Sequence, residues 1–317
     1  MHRYKTLMVG LARTPADAGL IRYAAMVARL GTASDVRFVD VLPSAANPAV
    51  AHDHEASVAH DHEPSVAHDH DRALADMHAE VQSSFGGVGE TIKVSYDVLR
   101  GTLVDQLLVC AAEKHVDLLL LGHSPDTRRR RSLARRMAMK APCSVWMIPE
   151  GASSELRRIL VPIDFSDNAA DAMRVATSMA KLSGHTECLA LHVYFDEAVT
   201  TYEGYDQVLR GQEEQAYRQF IAPIDLQGVK VTPLFEEGAN VAHAIGRVAE
   251  GKGADLIVMA TRGRSRSAAI LLGSATEEMI IESRVPLLAV KHFGARMGVL
   301  QSLLDRKFWR QGELRAD

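Results

Sequence analysis

The chain repeats itself at the scale of a whole domain, and that internal repeat restricts its fold more than any other feature. Short apolar runs rich in Val, Leu and Ile occupy residues 6–9, 36–42, 92–98, 117–122 and 144–148, separated by stretches with helical spacing such as 16–30 and 103–114. The same order returns at 159–162, 188–194, 229–235, 255–260 and 286–290, with helical spacing over 168–182 and 241–250. Leu7, Met8 and Val9 fall opposite Ile159, Leu160 and Val161; Ala24, Ala28 and Leu30 fall opposite Ala176, Ala180 and Leu182. Further on, Gly101 matches Gly238 and Pro142 matches Pro286. Strand-length apolar runs alternating with helices predict parallel strands, which must be covered on both faces. The expected class is α/β: two tandem doubly wound parallel five-stranded sheets, each in a three-layer α/β/α sandwich. At 317 residues and 47% hydrophobic content the chain has material for two cores. A short Gly/Ser-containing stretch at 150–154 sets the expected boundary between a domain over 1–150 and a second over 151–292, with a tail over 293–317.

Charge and cysteine content narrow the function classes. The net charge of -4 is spread over both signs, so no global field marks a nucleic-acid binder. Cys110, Cys143 and Cys188 lie far apart with no CxxC pair, which speaks against a disulfide framework or a thiolate zinc site and fits a reducing compartment. No apolar run approaches the roughly 20 residues that span a bilayer, and the first residues show no signal-peptide pattern. A cytoplasmic protein without membrane insertion is the expectation.

In a doubly wound sheet, ligands bind beyond the carboxyl ends of the strands, where the strand order reverses. The second half has a motif there. The run ending Met259-Ala260 leads into Thr261, Arg262 and Gly263, then nine residues to Gly273 and Ser274, then a helical stretch over 275–282. Gly273 permits close backbone approach, Ser274 can cap the helix or donate to a phosphate, and the first free N–H groups of the helix favour an anion. Arg262, Arg264 and Arg266 add positive charge, and the first strand ends Val161-Pro162-Ile163-Asp164, bringing a carboxylate to the same end of the sheet. The bland alternative makes Gly273-Ser274 a capped helix start and Asp164 an ordinary helix cap. A nearby G-x4-G-K-G over 246–253 is no phosphate loop, because it lacks Ser or Thr after the lysine and ends a helix; its glycines read as a helix stop.

These residues carry a resemblance. The segment is similar to the universal stress protein signature G-x2-G-x9-G-[ST], and the stretch ILVPIDFSDNAADAM resembles that family's first strand and helix. The resemblance implies a site for ATP or a related adenine nucleotide, with magnesium as its accompanying cation. It also implies adenine and ribose contacts from Pro162, Ile163, Asp164 and Val193, phosphate contacts from Gly263, Gly273, Ser274, Ala275 and Thr276, and a place in the same nucleotide site for Met259 and Ala260. The first signature glycine is Ala260 here, whose methyl group crowds a nucleotide if it faces one. The resemblance further implies pairing of domains through their last strands, giving an internal pseudo-dimer, with association of two chains beyond it; an unknown protein partner that reads the bound state belongs to the functional expectation.

The first half departs from the pattern. Ala12 stands opposite Asp164 and Gly10 opposite Pro162, and aligning the following helices sets Arg131 opposite Gly273 after a shorter loop. The first half therefore reads as a degenerate copy without the usual nucleotide site. Its Arg128–Arg131 run, with Arg135 and Arg136, is a solvated face or an anion patch, and no interleaved aromatics offer base stacking.

Residues 43–72 form an insert in which Val-Ala-His-Asp-His recurs with a period of eight. That period drifts around a helix axis and each unit offers only Val and Ala for burial, so a mobile loop is expected. In an extended chain the pairs His52/His54, His60/His62 and His68/His70 project to one side and have the chemistry to hold zinc, nickel or copper; the alternative is an expanded linker with no ligand. In the tail, Met297, Leu300, Leu303, Leu304 and Phe308 fall at helical spacing, predicting an amphipathic helix. No Ser/His/Asp or Cys/His arrangement supports catalysis. The expected function is a stress-response binding module that responds to an adenine nucleotide, with divalent-metal binding and slow ATP hydrolysis as the alternatives.

Overall fold

A computed structural model describes residues 4–30, 33–44, 66–85, 88, 92–123, 128–184, 187–195, 205–263 and 272–291. The first half runs β1 (Thr6–Leu11), α1 (Asp17–Arg29), β2 (Asp35–Leu42), α2 (Val66–Phe85), β3 (Lys93–Arg100), α3 (Leu103–Glu113), β4 (Leu118–His123), α4 (Arg128–Lys140) and β5 (Ser144–Pro149). The second runs β6 (Arg158–Ile163), α5 (Asp167–Ser183), β7 (Glu187–Tyr194), α6 (Tyr205–Ile221), β8 (Val231–Glu237), α7 (Val241–Lys252), β9 (Leu256–Ala260), α8 (Ser274–Glu282) and β10 (Leu287–Val290).

The strand order is β3-β2-β1-β4-β5-β10-β9-β6-β7-β8. Within each half all neighbours are parallel, and the order reverses between β1 and β4 in the first half and between β6 and β9 in the second. The last strands of the halves join antiparallel, with Leu287 opposite Met147, Leu288 opposite Trp146 and Ala289 opposite Val145. The two five-stranded sheets thereby become one ten-stranded sheet, and the pairing covers two edges that would otherwise expose unpaired backbone. The outer edges are β3 and β8; Pro233 is tolerated in β8 because an edge strand has only one partner to serve.

Alternation along the strands sends side chains to two separate cores. Leu7, Val9, Val161, Val258 and Leu288 pack beneath α1, α2, α5 and α6, whereas Met8, Leu160, Ile257, Met259 and Ala289 pack beneath α3, α4, α7 and α8. Both cores run across the seam. Trp146 of β5, fully buried, meets Tyr23 of α1 edge-on at 5.7 Å, and the Tyr23 hydroxyl donates to the Ser153 carbonyl in the connection between halves. α5 shows why an alanine-rich segment helps here: Ala169, Ala172, Ala176 and Ala180 let it lie close to the sheet. It opens on Ser166, whose hydroxyl accepts from the Ala169 N–H, and closes on Gly184 at φ 77°.

Two sequence expectations change. The insert is not loop throughout: its third repeat enters α2, which starts at Val66 and buries Ala73, Met77 and Val81. His68 and His70 consequently sit roughly 200° apart around a helix axis, not on one side of an extended chain. His52, His54, His60 and His62 lie outside the described residues, as does the tail from 292 onward. α6, for which the sequence carried no stated expectation, packs on the core through Tyr217, Phe220 and Ile221. Second, Arg131 lies within the first turn of α4 whereas Gly273 precedes α8, so the two positions are not equivalent. The helix stop after α7 is as expected, with Gly253 at φ 61° accepting the left-handed C-terminal position.

Candidate functional site

The carboxyl ends of β6 and β9 face the reversal of strand order in the second half, and the sequence-selected residues collect there. β6 ends at Ile163, which is buried in the α5-side core, and the chain turns sharply through Asp164 and Phe165 to the Ser166 cap. Phe165 holds φ 61°, a left-handed conformation that costs a β-carbon-bearing residue about 1–2 kcal/mol. Several contacts hold the bend. Asp164 Oδ1 accepts from the Ser166 N–H at 3.1 Å and from its hydroxyl at 2.6 Å, and the Phe165 ring lies 4.2 Å from that of His192. His192 Nδ1 is 2.9 Å from the Ile163 carbonyl oxygen and its Nε2 is 3.1 Å from Glu213 of α6.

Across the crevice, Gly263 sits directly against the other carboxylate oxygen of Asp164. A β-carbon at 263 would stand 2.6 Å from Asp164 Oδ2, so only glycine permits this approach. Asn168 Nδ2 reaches the Gly263 carbonyl at 3.4 Å, tying the start of α5 to the same loop. Gly273 returns the chain to the strand end: its N–H donates to the Thr261 carbonyl at 2.8 Å. It is Gly273, not Ser274, that occupies the N-cap of α8, correcting the capping role expected of Ser274, which is the first helical residue. The first helical bond runs from the Glu277 N–H to the Gly273 carbonyl at 2.8 Å. The N–H groups of Ser274, Ala275 and Thr276 therefore have no acceptor within the helix, and the positive end of its dipole points into the crevice.

The remaining predicted residues divide by face. Pro162 and Ile163 project to opposite faces of β6, Val193 packs with the α7/α8-side core, and Met259 is buried in that same core. The Thr276 hydroxyl donates to the Ala260 carbonyl at 2.9 Å, which engages its side chain in holding α8 to β9. The Ala260 methyl packs against the α5-side core, away from the face carrying α8. Arg264 and Arg266 lie outside the described residues. Sequence reading missed Ser166, Asn168, His192 and Glu213. Ser166 carried a usable signal, a serine just before an alanine-rich periodic stretch; the contact of His192 with Glu213 crosses 21 positions and has no local signature.

The corresponding end of the first half is organised differently. Asp17, 2% exposed, turns its carboxylate into the bend after β1, where Oδ2 accepts from the Ala12 N–H at 3.0 Å and the Thr14 N–H at 3.3 Å. A carboxylate is thus present after all, supplied by the helix and not by the strand end. Arg13 at φ 54° pairs with buried Asp40 at 3.1 Å. The adjoining cavity of 320 Å³ has Arg13 as its one cation among the described lining residues, against Asp17, Asp40, Asp76 and Glu80. Burial raises the Asp17 carboxyl above its ordinary range despite those backbone donors, and burial together with Asp17 raises Glu80. Such a lining repels phosphates.

Other chemistry is weakly provided for. All three cysteines are buried, and burial pushes the Cys143 and Cys188 thiols up to about 12, so neither is a thiolate near neutral pH. Among the described residues no cluster of three or more His, Cys, Asp or Glu side chains is arranged to hold a metal ion, and no helix is long and apolar enough to cross a membrane.

Comparison with known proteins agrees with this architecture. The profile of the universal stress protein family matches twice, over residues 3–149 and 155–291. A universal stress protein of Thermus aquaticus is 33% identical over 138 residues, 43% of this chain and 98% of that protein. One from Methanocaldococcus jannaschii is 32% identical over 141 residues, 43% of this chain and 82% of its own length. The crystal structure of a universal stress protein from Archaeoglobus fulgidus aligns with a TM-score of 0.64 at 18% identity, covering 92% of this chain and 97% of that one, which speaks to the fold alone. With both halves matched by the family profile and joined in one sheet, the chain belongs to the universal stress protein family, as a tandem of two such units.

Proposed function

We propose that the second half binds ATP or a related adenine nucleotide and that the protein works as a binding module whose occupied form is read by a partner, not as a catalyst. The observation that carries this reading is the crevice itself. The Asp164 carboxylate rests against Gly263 on one side, and the N–H groups at the start of α8, which have no acceptor within that helix, lie on the other. A carboxylate suits ribose hydroxyls, and a helix N-terminus suits phosphate oxygens. Pro162, Ile163 and Val193 would bound the base. Gly263, Gly273, Ser274 and Ala275 would meet the phosphates, with Met259, Ala260 and Thr276 contributing through the backbone. Ala260 replaces a signature glycine, but its methyl packs against the core on the face away from α8.

The donor set fits an anionic nucleotide, and a magnesium ion would reach it as the nucleotide's own counter-ion. Metal chelation by the insert has less support: His68 and His70 on α2 cannot form a two-residue pair without unwinding the helix start. Calorimetric titration with ATP, ADP and adenosine tests the proposal. Binding is expected in the wild type and a loss of at least about tenfold in Asp164→Ala and Gly273→Trp, since each removes or covers one wall of the crevice. A wild-type chain that takes up none of the three ends the proposal.

A further inference from the structure

The first half lends a charge to the second half's crevice. α4 and α8 are the last helices of their halves, and they pack together across the seam. Arg135 of α4 places Nε 2.6 Å from Glu277 Oε1, and Glu277 lies in the first turn of α8, the residue whose N–H makes that helix's first bond. Its neighbour Arg136 instead faces Asp105 within the first half, so the two arginines serve different partners. A second link runs the other way: Lys291, just past β10, donates from Nζ to the Ala141 carbonyl at the end of α4, where a cation is favoured by the helix dipole. Lys291 also feels Arg262, the residue before Gly263.

An anion at the start of α8 meets conflicting fields. The amides attract it, and the Glu277 carboxylate one turn into the helix repels it. We infer that Arg135, supplied by the half without a nucleotide motif, neutralises Glu277 and thereby tunes the phosphate affinity of the other half's site. Arg135 is a positioning and charge-compensating residue here, touching Glu277 and not the ligand. The fusion of two units then has a functional consequence: movement of α4 relative to α8 changes how strongly the second half holds phosphates. This inference rests on the adenine-nucleotide reading given above.

Calorimetric titration with ATP and, in parallel, adenosine separates the two. Arg135→Gln is expected to weaken ATP about three- to tenfold while leaving adenosine unchanged, because only the phosphates sense the exposed Glu277 charge. Glu277→Gln is expected to tighten ATP modestly, and the double variant to return close to the wild-type affinity. A packing role for Arg135 would instead lower ATP and adenosine together, or leave the double variant as weak as Arg135→Gln. Either result overturns the inference, as does unchanged ATP affinity in Arg135→Gln. In those cases a wild type that binds ATP keeps the nucleotide reading intact; a wild type that binds no adenine compound removes both.

Discussion

The bends after β1 and β6 follow the same backbone path with different locks. Each puts a β-carbon-bearing residue into the left-handed region, Arg13 at φ 54° and Phe165 at φ 61°. Each braces that residue against the same position of the neighbouring strand, since Leu11 pairs with Asp40 and Ile163 with His192. In the first half the brace is an ion pair, Arg13 to Asp40; in the second it is a ring contact, Phe165 to His192. The larger difference is where the carboxylate goes. Asp17 reaches in from α1 to take up the N–H groups of Ala12 and Thr14, whereas Asp164 stands at the strand end, accepting from the Ser166 N–H with one oxygen and lying against Gly263 with the other. Both acids help to close their own turn, but only Asp164 also turns an oxygen toward the loop after β9, at Gly263. A duplicated fold can therefore keep the same bend while placing its carboxylate differently.

The comparison rests on a shared framework, and the largest expected effect comes from breaking that framework. Trp146 is fully buried at the seam, so Trp146→Ala should cost about 3–5 kcal/mol through the cavity it leaves. Because both cores continue across the seam, urea unfolding followed by separate probes in each half should show both halves weakened; loss confined to the first half would show that they are energetically independent.

A smaller effect tests the locks. Asp17→Ala deprives two backbone N–H groups of their acceptor in a closed bend and should cost about 2 kcal/mol, against about 1 kcal/mol for Ser166→Ala, which removes an ordinary helix cap. Equal costs in thermal or urea unfolding would mean that the first half's carboxylate is no more structural than the cap.

The smallest effect is in pH. Burial raises the Asp17 carboxyl, so its contribution to stability is full at pH below the ordinary carboxylate value and is lost as pH rises through the raised native one. Acidification from neutrality toward that window should therefore favour the wild type relative to Asp17→Asn, by roughly 2–4 °C in Tm for each kcal/mol gained. A difference in Tm between the two proteins that stays constant with pH would show that Asp17 keeps an ordinary carboxyl.

Much of this molecule could be read directly from the chain. All ten strands fall where short Val, Leu and Ile runs predicted them, because a buried parallel strand leaves its mark within four to eight consecutive residues. Asp164, Gly263 and Gly273 were identifiable for a similar reason: each sits at the junction of a strand or helix with its loop, where backbone demands restrict residue type. The function of individual side chains was less legible. Nothing local distinguishes Thr276, engaged with the Ala260 carbonyl, from a threonine turned toward a ligand, nor reveals that Ala260 directs its methyl to the α5 side.

The residue pattern by itself determined the duplicated α/β architecture and pointed to the end of the sheet where the candidate site lies, since both are read from runs of a few residues. Only the folded molecule decided that Asp17 would take over the first bend, that His192 would lie between Ile163 and Glu213, and that Arg135 would reach Glu277 across the seam. Those pairings join residues from different elements, up to 142 positions apart in the case of Arg135 and Glu277. Many arginines and carboxylates in the chain are chemically equivalent candidates, and packing alone selects which of them meet.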